Sequence, residues 1–271
     1  MKNLLSPEGQ EALRSVSKTR ALFAFDFDGT LAPIVWRPDD AKIAIGVRRR
    51  LARLARRVPV VVISGRSVGD LRTRLPVEVQ TCIGNHGNEG LPGAADAASM
   101  RAVCSGWIAR LREQLADPSA DSGIAIEDKG VTVSLHYRLA RDRVAAAGWL
   151  SERLAELTPA PRVIGGKLVF NLLPPGARTK FEALSDLARE EAVERVLFVG
   201  DDETDELVFA RAPAHWLTVK VDLDSSSKAK FFLQQQSEVT ILLDQLLLLL
   251  AEPGAGQSPG GKSARAAAQE R

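Results

Sequence analysis

Cysteine, an excess of charge of one sign and long apolar runs are all scarce in this chain, and each shortage closes a route. Two cysteines, Cys82 and Cys104, among 271 residues build no disulfide framework and no CxxC metal or redox pair, so reduced thiols are expected. The 36 Lys+Arg against 34 Asp+Glu leave a formal net charge of only +2. That balance argues against a dedicated nucleic-acid binder, whose basic surplus is large, and against a disordered chain, which joins high net charge to few apolar residues. The N-terminal MKNLLSPEGQEALR carries charge, Pro and Gly where a signal peptide needs an unbroken apolar region, so a cytoplasmic location is expected. The membrane-like stretch ILLDQLLLLL (241–250) contains Asp244 and falls far short of the ~20 apolar residues of a span; a buried helix is the better reading. No internal repeat is present.

What the chain does have is globular composition, 45% hydrophobic and 26% charged, at a length that predicts one large α/β domain or a core domain with a smaller companion. Continuous apolar runs at ALFAF (21–25), VPVVVIS (58–64) and VQTCIG (79–84) alternate with segments of helical period, the pattern of βαβ units and a parallel sheet. In VRRRLARLARR (47–57), Val47, Leu51 and Leu54, continued by Val58, form a core-facing stripe. Its six arginines in ten residues invite a phosphate-polymer reading, but they occupy the remaining faces of an amphipathic crossover helix and read as a solvated face.

After Gly90 the small-residue stretch LPGAADAAS suits a linker. It leads into a helix (about 98–116), β-rich runs at 124–128 and 131–138, a helix (about 140–157) and two further strands at RVIGG and KLVFNLL. The order α-β-β-α-β-β predicts a small α/β module with an antiparallel sheet, placed at 93–171 and inserted into the first domain. VTVSLHY alternates apolar and polar residues, which predicts one open face for that sheet. Helix 178–189, strand RVLFVG (195–200), an acidic loop at 201–206, a short helix and strand HWLTVK (215–220) return to the first domain, giving a core of 1–92 and 172–251. The Gly/Ser/Ala-rich residues 252–271 lack an apolar period and are expected to be disordered.

Four motifs carry chemistry. In FDFDGTL (25–31) a strand delivers Asp26 and Asp28 two residues apart, at the strand end where open α/β sheets bind ligands. An EF-hand loop is excluded there, because Ala24 and Val35 would occupy its first and twelfth positions. VGDDETDE (199–206) sets five carboxylates in six residues, which repel unless a cation or strong solvation offsets them. A solvated helix N-terminus accounts for Glu203 and Glu206 better than for Asp201 and Asp202, which follow the strand directly. Ser64 in VISGRS can donate to an anionic oxygen, and Lys180 in ARTKFEAL can supply a movable cation.

In this order the motifs resemble the haloacid dehalogenase superfamily, over roughly 22–220. SGR (64–66), GNHGNE (84–89), EDKGVTVSLHYR (127–138) and GGKLVFNLLPPGARTK (165–180) resemble one branch of it, the trehalose-6-phosphate phosphatases. The resemblance implies a Rossmann-like core with a parallel sheet and an inserted C2-type cap. It implies Asp26 as the nucleophile that forms an aspartyl-phosphate, and Asp28 as the general acid and then base. Ser64 and Lys180 would stabilise the transferring phosphoryl group. Mg²⁺ would be held by the Asp26 carboxylate, the Asp28 carbonyl and Asp201, with Asp202 and Asp205 orienting its waters. Glu127, Lys129 and Lys167 resemble the branch's sugar-binding residues, joined as candidates by Arg66, Asn85, His86, His136 and Arg138. Two departures stand out. Asn171 occupies a position that is commonly acidic in the branch, and Phe181 follows the lysine where glycine is usual. The implied partner is a small phosphosugar, with neither nucleic acid nor membrane; oligomeric state is left open, a monomer being compatible. The rival readings are another sugar-phosphate phosphatase or phosphohexomutase, and a non-catalytic sugar-phosphate-binding regulator.

Overall fold

The computed structural model describes residues 1–92, 97–116 and 123–251; the expected disorder of 252–271 lies outside the described residues, as does much of the linker read at 91–99. In chain order the elements are β1 (Lys2–Asn3), α1 (Pro7–Ser17), β2 (Ala21–Phe25), α2 (Ile45–Ala55), β3 (Val60–Ile63), α3 (Val68–Arg74) and β4 (Thr81–Ile83). There follow α4 (Ala97–Leu115), β5 (Ala125–Asp128), β6 (Val133–His136), α5 (Arg143–Ala155), β7 (Arg162–Gly166) and β8 (Val169–Leu173). The chain closes with α6 (Lys180–Glu190), β9 (Arg195–Gly200), α7 (Glu203–Arg211), β10 (Leu217–Val221), β11 (Phe231–Leu233) and α8 (Val239–Leu249).

Seven strands form one parallel sheet in the order β1-β11-β10-β9-β2-β3-β4. β2 is wholly buried because helices cover both faces. Phe23 and Phe25 enter the core shared with α1, α2 and α8, whereas Leu22 and Ala24 enter the core shared with α6 and α7. Each fully buried Phe or Leu contributes about 1.5–3 kcal/mol, which fixes the register of the strand whose end bears Asp26. The predicted stripe Val47, Leu51, Leu54 and Val58 is buried in the first of these cores. The arginines around it mostly tie elements together. Arg48 donates to the carbonyls of Arg74 and Leu75, Arg50 grips Asp244 of α8 through two hydrogen bonds, Arg56 pairs with Glu78, and Arg57 donates to the Leu247 carbonyl. The 241–250 stretch is α8, with Leu242, Leu243 and Leu246 at 0% exposure and Asp244 on its outer side. No helix among the described residues is long and apolar enough to cross a membrane.

The second sheet is antiparallel, in the order β5-β6-β8-β7. Its apolar face, with Val133, Leu135 and Leu172, is covered by Trp107, Ile108 and Leu111 of α4 and Leu150 and Leu154 of α5. The polar face differs from expectation. The alternation in 131–137 predicts a face open to water, yet Thr132, Ser134 and Asn171 are 1%, 1% and 4% exposed. This face turns toward the loops at the end of the first sheet, so these three residues meet protein, whereas Glu127 and His136 on the same face stay partly exposed. The acidic loop read at 201–206 is also shorter than expected. Asp202 already caps α7, and Glu203, Asp205 and Glu206 form its first turn, where acids favour the helix dipole.

Candidate active site

Strand order is what assembles the motifs. β9, β2 and β3 are parallel neighbours, so Asp201, Asp26 and Ser64, each the first residue after its strand, emerge side by side at the C-terminal edge. The chain leaves β2 for β3 on one side and returns to β9 on the other, which is the crevice where open α/β sheets take ligands. Gly29, at φ +77°, turns the chain just beyond; a Cβ there would lie 2.1 Å from an Asp201 carboxylate oxygen. Only glycine permits this approach.

Carboxylate oxygens of Asp26, Asp201 and Asp205 lie within 4.8 Å of one another, all buried. Lys180, 2% exposed, bridges Asp26 Oδ1 at 2.7 Å and Asp205 Oδ1 at 2.8 Å. The first turn of α6 delivers it, set by a capping box of Thr179 and Glu182. Burial alone would lower the Lys180 pKa, but Asp205 and Asp26 outweigh it and raise it above the usual lysine range, so the ammonium stays charged. Asp205 Oδ2 accepts from the Asp201 and Asp202 amides at 2.9 and 3.0 Å. Both Asp205 oxygens are therefore engaged within the protein. Asp202 caps α7 and accepts from the Glu203 amide at 2.7 Å; burial, then Asp205, raises its pKa.

Asp201 Oδ2 accepts from Lys167 at 2.7 Å, whereas its buried Oδ1 has no hydrogen-bond partner. Burial foremost, with Asp205 alongside, pushes its pKa up to about 6 despite Lys167. Burial likewise raises Asp26 well above the carboxylate range, with Asp205 and Asp201 adding to it against Lys180. An orphaned carboxylate oxygen, three clustered acids and an oxygen-only donor set fit a hard divalent cation such as Mg²⁺.

Asp28 stands apart from this cluster. Its carboxylate receives Arg66 Nε at 2.6 Å and Nη2 at 2.7 Å, and the guanidinium rests over the Phe27 ring at 5.2 Å. Ser64, 2% exposed, accepts from the Arg66 amide at 3.3 Å.

The second sheet brings the remaining candidates. On its polar face Glu127 accepts from His136 Nε2 at 2.7 Å and lies 3.5 Å from Lys129. His136 and Lys129 both lower the Glu127 pKa against its burial, and burial lowers that of Lys129. Asn171 Oδ1 accepts from Ser134 at 2.7 Å. Arg138 reaches the Val35 and Lys167 carbonyls at 3.4 Å, linking the two sheets' loops. Asn85 and His86 both adopt positive φ, 49° and 57°. Asn85 donates to Glu89 and to the Lys129 carbonyl, while its Oδ1 and both His86 ring nitrogens are buried without partners. Burial, then Lys129 and Lys180, holds the imidazole pKa well below its ordinary value, so the ring is neutral. His215 is exposed and remote from these contacts.

Sequence reasoning missed Lys220, 6% exposed on β10, which donates to the Asp201 carbonyl and lies 3.8 Å from Glu206. A lysine inside the apolar strand run LTVKV was the available signal. It also missed Asp70, which joins Arg66 at 2.8 Å. Phe181, the departure beside Lys180, packs against Trp216 with ring centroids 6.1 Å apart and lies beneath Arg211. It leaves the lysine's reach intact.

A trehalose-phosphatase family model matches residues 24–237. The chain is 34% identical over 253 residues to the trehalose-phosphate phosphatase of Mycobacterium tuberculosis, covering 88% of this chain and 63% of that protein. It thus spans less than two thirds of the mycobacterial relative. Among solved structures, a trehalose-6-phosphate phosphatase related protein superposes with a TM-score of 0.69 at 25% identity, over 84% of this chain and 97% of the other. The trehalose-6-phosphate phosphatase of Aspergillus fumigatus superposes at 0.62 and 26% identity, over 92% and 99%.

Proposed function

The chain belongs to the trehalose-phosphatase family, and from that premise we propose that it hydrolyses trehalose 6-phosphate to trehalose and phosphate through an aspartyl-phosphate on Asp26. The observation that carries this reading is the buried group Asp26, Asp201, Asp205 and Lys180 at the adjoining ends of β2 and β9, roofed by the polar face of a second sheet.

Lys180 holds Asp26 Oδ1, which orients the other carboxylate oxygen for attack on phosphorus as the bond to the sugar oxygen breaks. Asp28 gives its proton to the departing alkoxide. It then takes a proton from the water that attacks phosphorus and releases Asp26; such acid–base assistance is worth about 10²–10⁴-fold. Lys180 and the Ser64 hydroxyl stabilise charge on the transferring group. Asp26, Asp201 and the Asp28 carbonyl would hold Mg²⁺, with Asp202 and Asp205 supporting its waters; the ion would offset charge on the phosphoryl oxygens. The cap face excludes bulk water and presents Glu127, Lys129, His136, Arg138, Lys167 and Asn171 to the sugar hydroxyls, with Arg66, Asn85 and His86 below them.

In this reading residues 1–92 and 172–251 form the catalytic core and 93–171 the cap, and the free, buried thiols of Cys82 and Cys104 fit a cytoplasmic location. Phosphate release across a panel of phosphosugars, with and without Mg²⁺, tests it. Trehalose 6-phosphate should be turned over fastest and only with the ion, and preference for a monosaccharide phosphate refutes the assignment.

A further inference from the structure

Arg66 engages two acids at once. Nε and Nη2 grip Asp28, and Nη1 donates to Asp70 Oδ2 at 2.8 Å. Asp70 lies four residues on, in α3, and is itself gripped by Arg74, from Nε at 2.9 Å to either oxygen and from Nη2 at 2.7 Å to Oδ1. The other end of Arg74 is anchored to main chain, donating from Nη1 to the Ala41 carbonyl at 2.7 Å and the Asp39 carbonyl at 3.1 Å. Four side chains of alternating charge thus run from the main chain at Asp39 and Ala41 to the Asp28 carboxylate.

The two arginines are 11% and 13% exposed, whereas the Asp28 side chain is 41% exposed. The outer member is held in place by the buried ones. A guanidinium can offer a carboxylate either of two forks. With Nη1 committed to Asp70 and the ring of Phe27 against its face, Arg66 presents the Nε/Nη2 fork to Asp28. Arg74 supplies a second charge to Asp70, so Asp70 does not draw Arg66 away from Asp28.

We propose that Asp70 is a positioning residue for the reaction: it locks the Arg66 guanidinium in the orientation that aims the Asp28 carboxylate, and it does so without touching substrate. The inference rests on the acid–base role given to Asp28 above, and extends it to a residue with no contact to the reacting atoms. A displacement of about 1 Å at a reacting group costs up to 10²-fold, so loosening one support should cost less than deleting the acid.

The test compares Asp70→Asn, Arg66→Met and the double variant on two esters: p-nitrophenyl phosphate, whose leaving group needs little protonation, and the phosphosugar that the wild type prefers. Asp70→Asn should lower kcat on the phosphosugar about tenfold with KM within about twofold, and should slow single-turnover phosphoenzyme formation from p-nitrophenyl phosphate far less. In the Arg66→Met background Asp70→Asn should add nothing, since its effect passes through Arg66. Arg74→Met should give a smaller loss of the same kind. Wild-type kinetics in Asp70→Asn, or losses that multiply in the double variant, would overturn the inference. A readout independent of turnover is the hydrogen exchange of the Arg66 Nε–H, followed by ¹⁵N NMR at matched thermal midpoints. It should speed up about tenfold in Asp70→Asn, and an unchanged rate sinks the proposal. If the wild type hydrolysed neither ester, the proposed function would fall, while the Arg66 signal would still decide whether Asp70 holds it.

Discussion

The two surfaces that meet at the site are built on opposite plans. Below, short carboxylates at and just beyond the ends of buried strands are locked by ion pairs: Asp26, Asp201 and Lys180 are 2–4% exposed and Asp205 is 0% exposed. Above, long side chains reach from a sheet face and remain partly wet, with His136 37% and both Glu127 and Lys167 48% exposed at the side chain. In the proposed reaction the lower groups would hold the reacting atom and are short and pre-set, whereas the upper groups would fit a polyhydroxylated ligand and keep rotamer freedom. Lys167 is the exception that joins the two, reaching from the turn between β7 and β8 to Asp201.

The contrast is broken most severely by Asp26→Asn. Turnover should fall by at least roughly 10³-fold, and the melting midpoint should hold, because Lys180 keeps Asp205; phosphate release and a thermal melt check both. Lys180→Met attacks the same surface through its lock. It leaves Asp26 and Asp205 buried without their shared cation, so activity should be lost and stability should drop by about 3–5 kcal/mol, read from urea unfolding.

A pH series sharpens the electrostatic half of the comparison. The folded pKa of Asp201, about 6, lies above its ordinary 3.8, so between those values the folded metal-free protein binds more protons than the unfolded chain. Its contribution to stability is therefore lost as pH rises from about 4 to 6, by roughly 2–3 kcal/mol, and changes little above. In chelator, the difference in unfolding free energy between wild type and Asp201→Asn should trace that fall, and adding a divalent cation above pH 6 should restore wild-type stability. The smallest effect belongs to the upper surface. Glu127→Gln should raise KM roughly tenfold, the equivalent of one charge-assisted hydrogen bond, with kcat and the melting midpoint nearly unchanged. A comparable fall in kcat would mean that the cap residue takes part in aligning the reacting atoms.

Much of the lower surface was legible before any coordinates. Buried parallel strands read as continuous apolar runs, and an acid directly after such a run marks the sheet's working edge, so Asp26, Ser64 and Asp201 stood out. The stripe of α2 was legible for the same reason, since helical period survives in one dimension. β1 and β11, of two and three residues, carry no period long enough to read. The polar alternation of 131–137 was legible as a pattern, but the partner of its polar face was not. Alternation shows that two faces differ; it does not say whether water or protein covers the second.

Sequence by itself therefore determined the fold class, the order of the four motifs and which acids stand at strand ends, because each is written in neighbouring residues through strand burial and strand-end position. Tertiary structure alone decided which charges neutralise which. Lys180 spans Asp26 and Asp205, Lys167 crosses from the second sheet to Asp201, and Arg66 reaches Asp28; the Arg66–Asp70 pair, four residues apart, is the local exception. Most of these partners are tens to more than a hundred residues apart. Ion pairing depends on distances of about 3 Å in space, and the sheet order that sets those distances leaves no local trace along the chain.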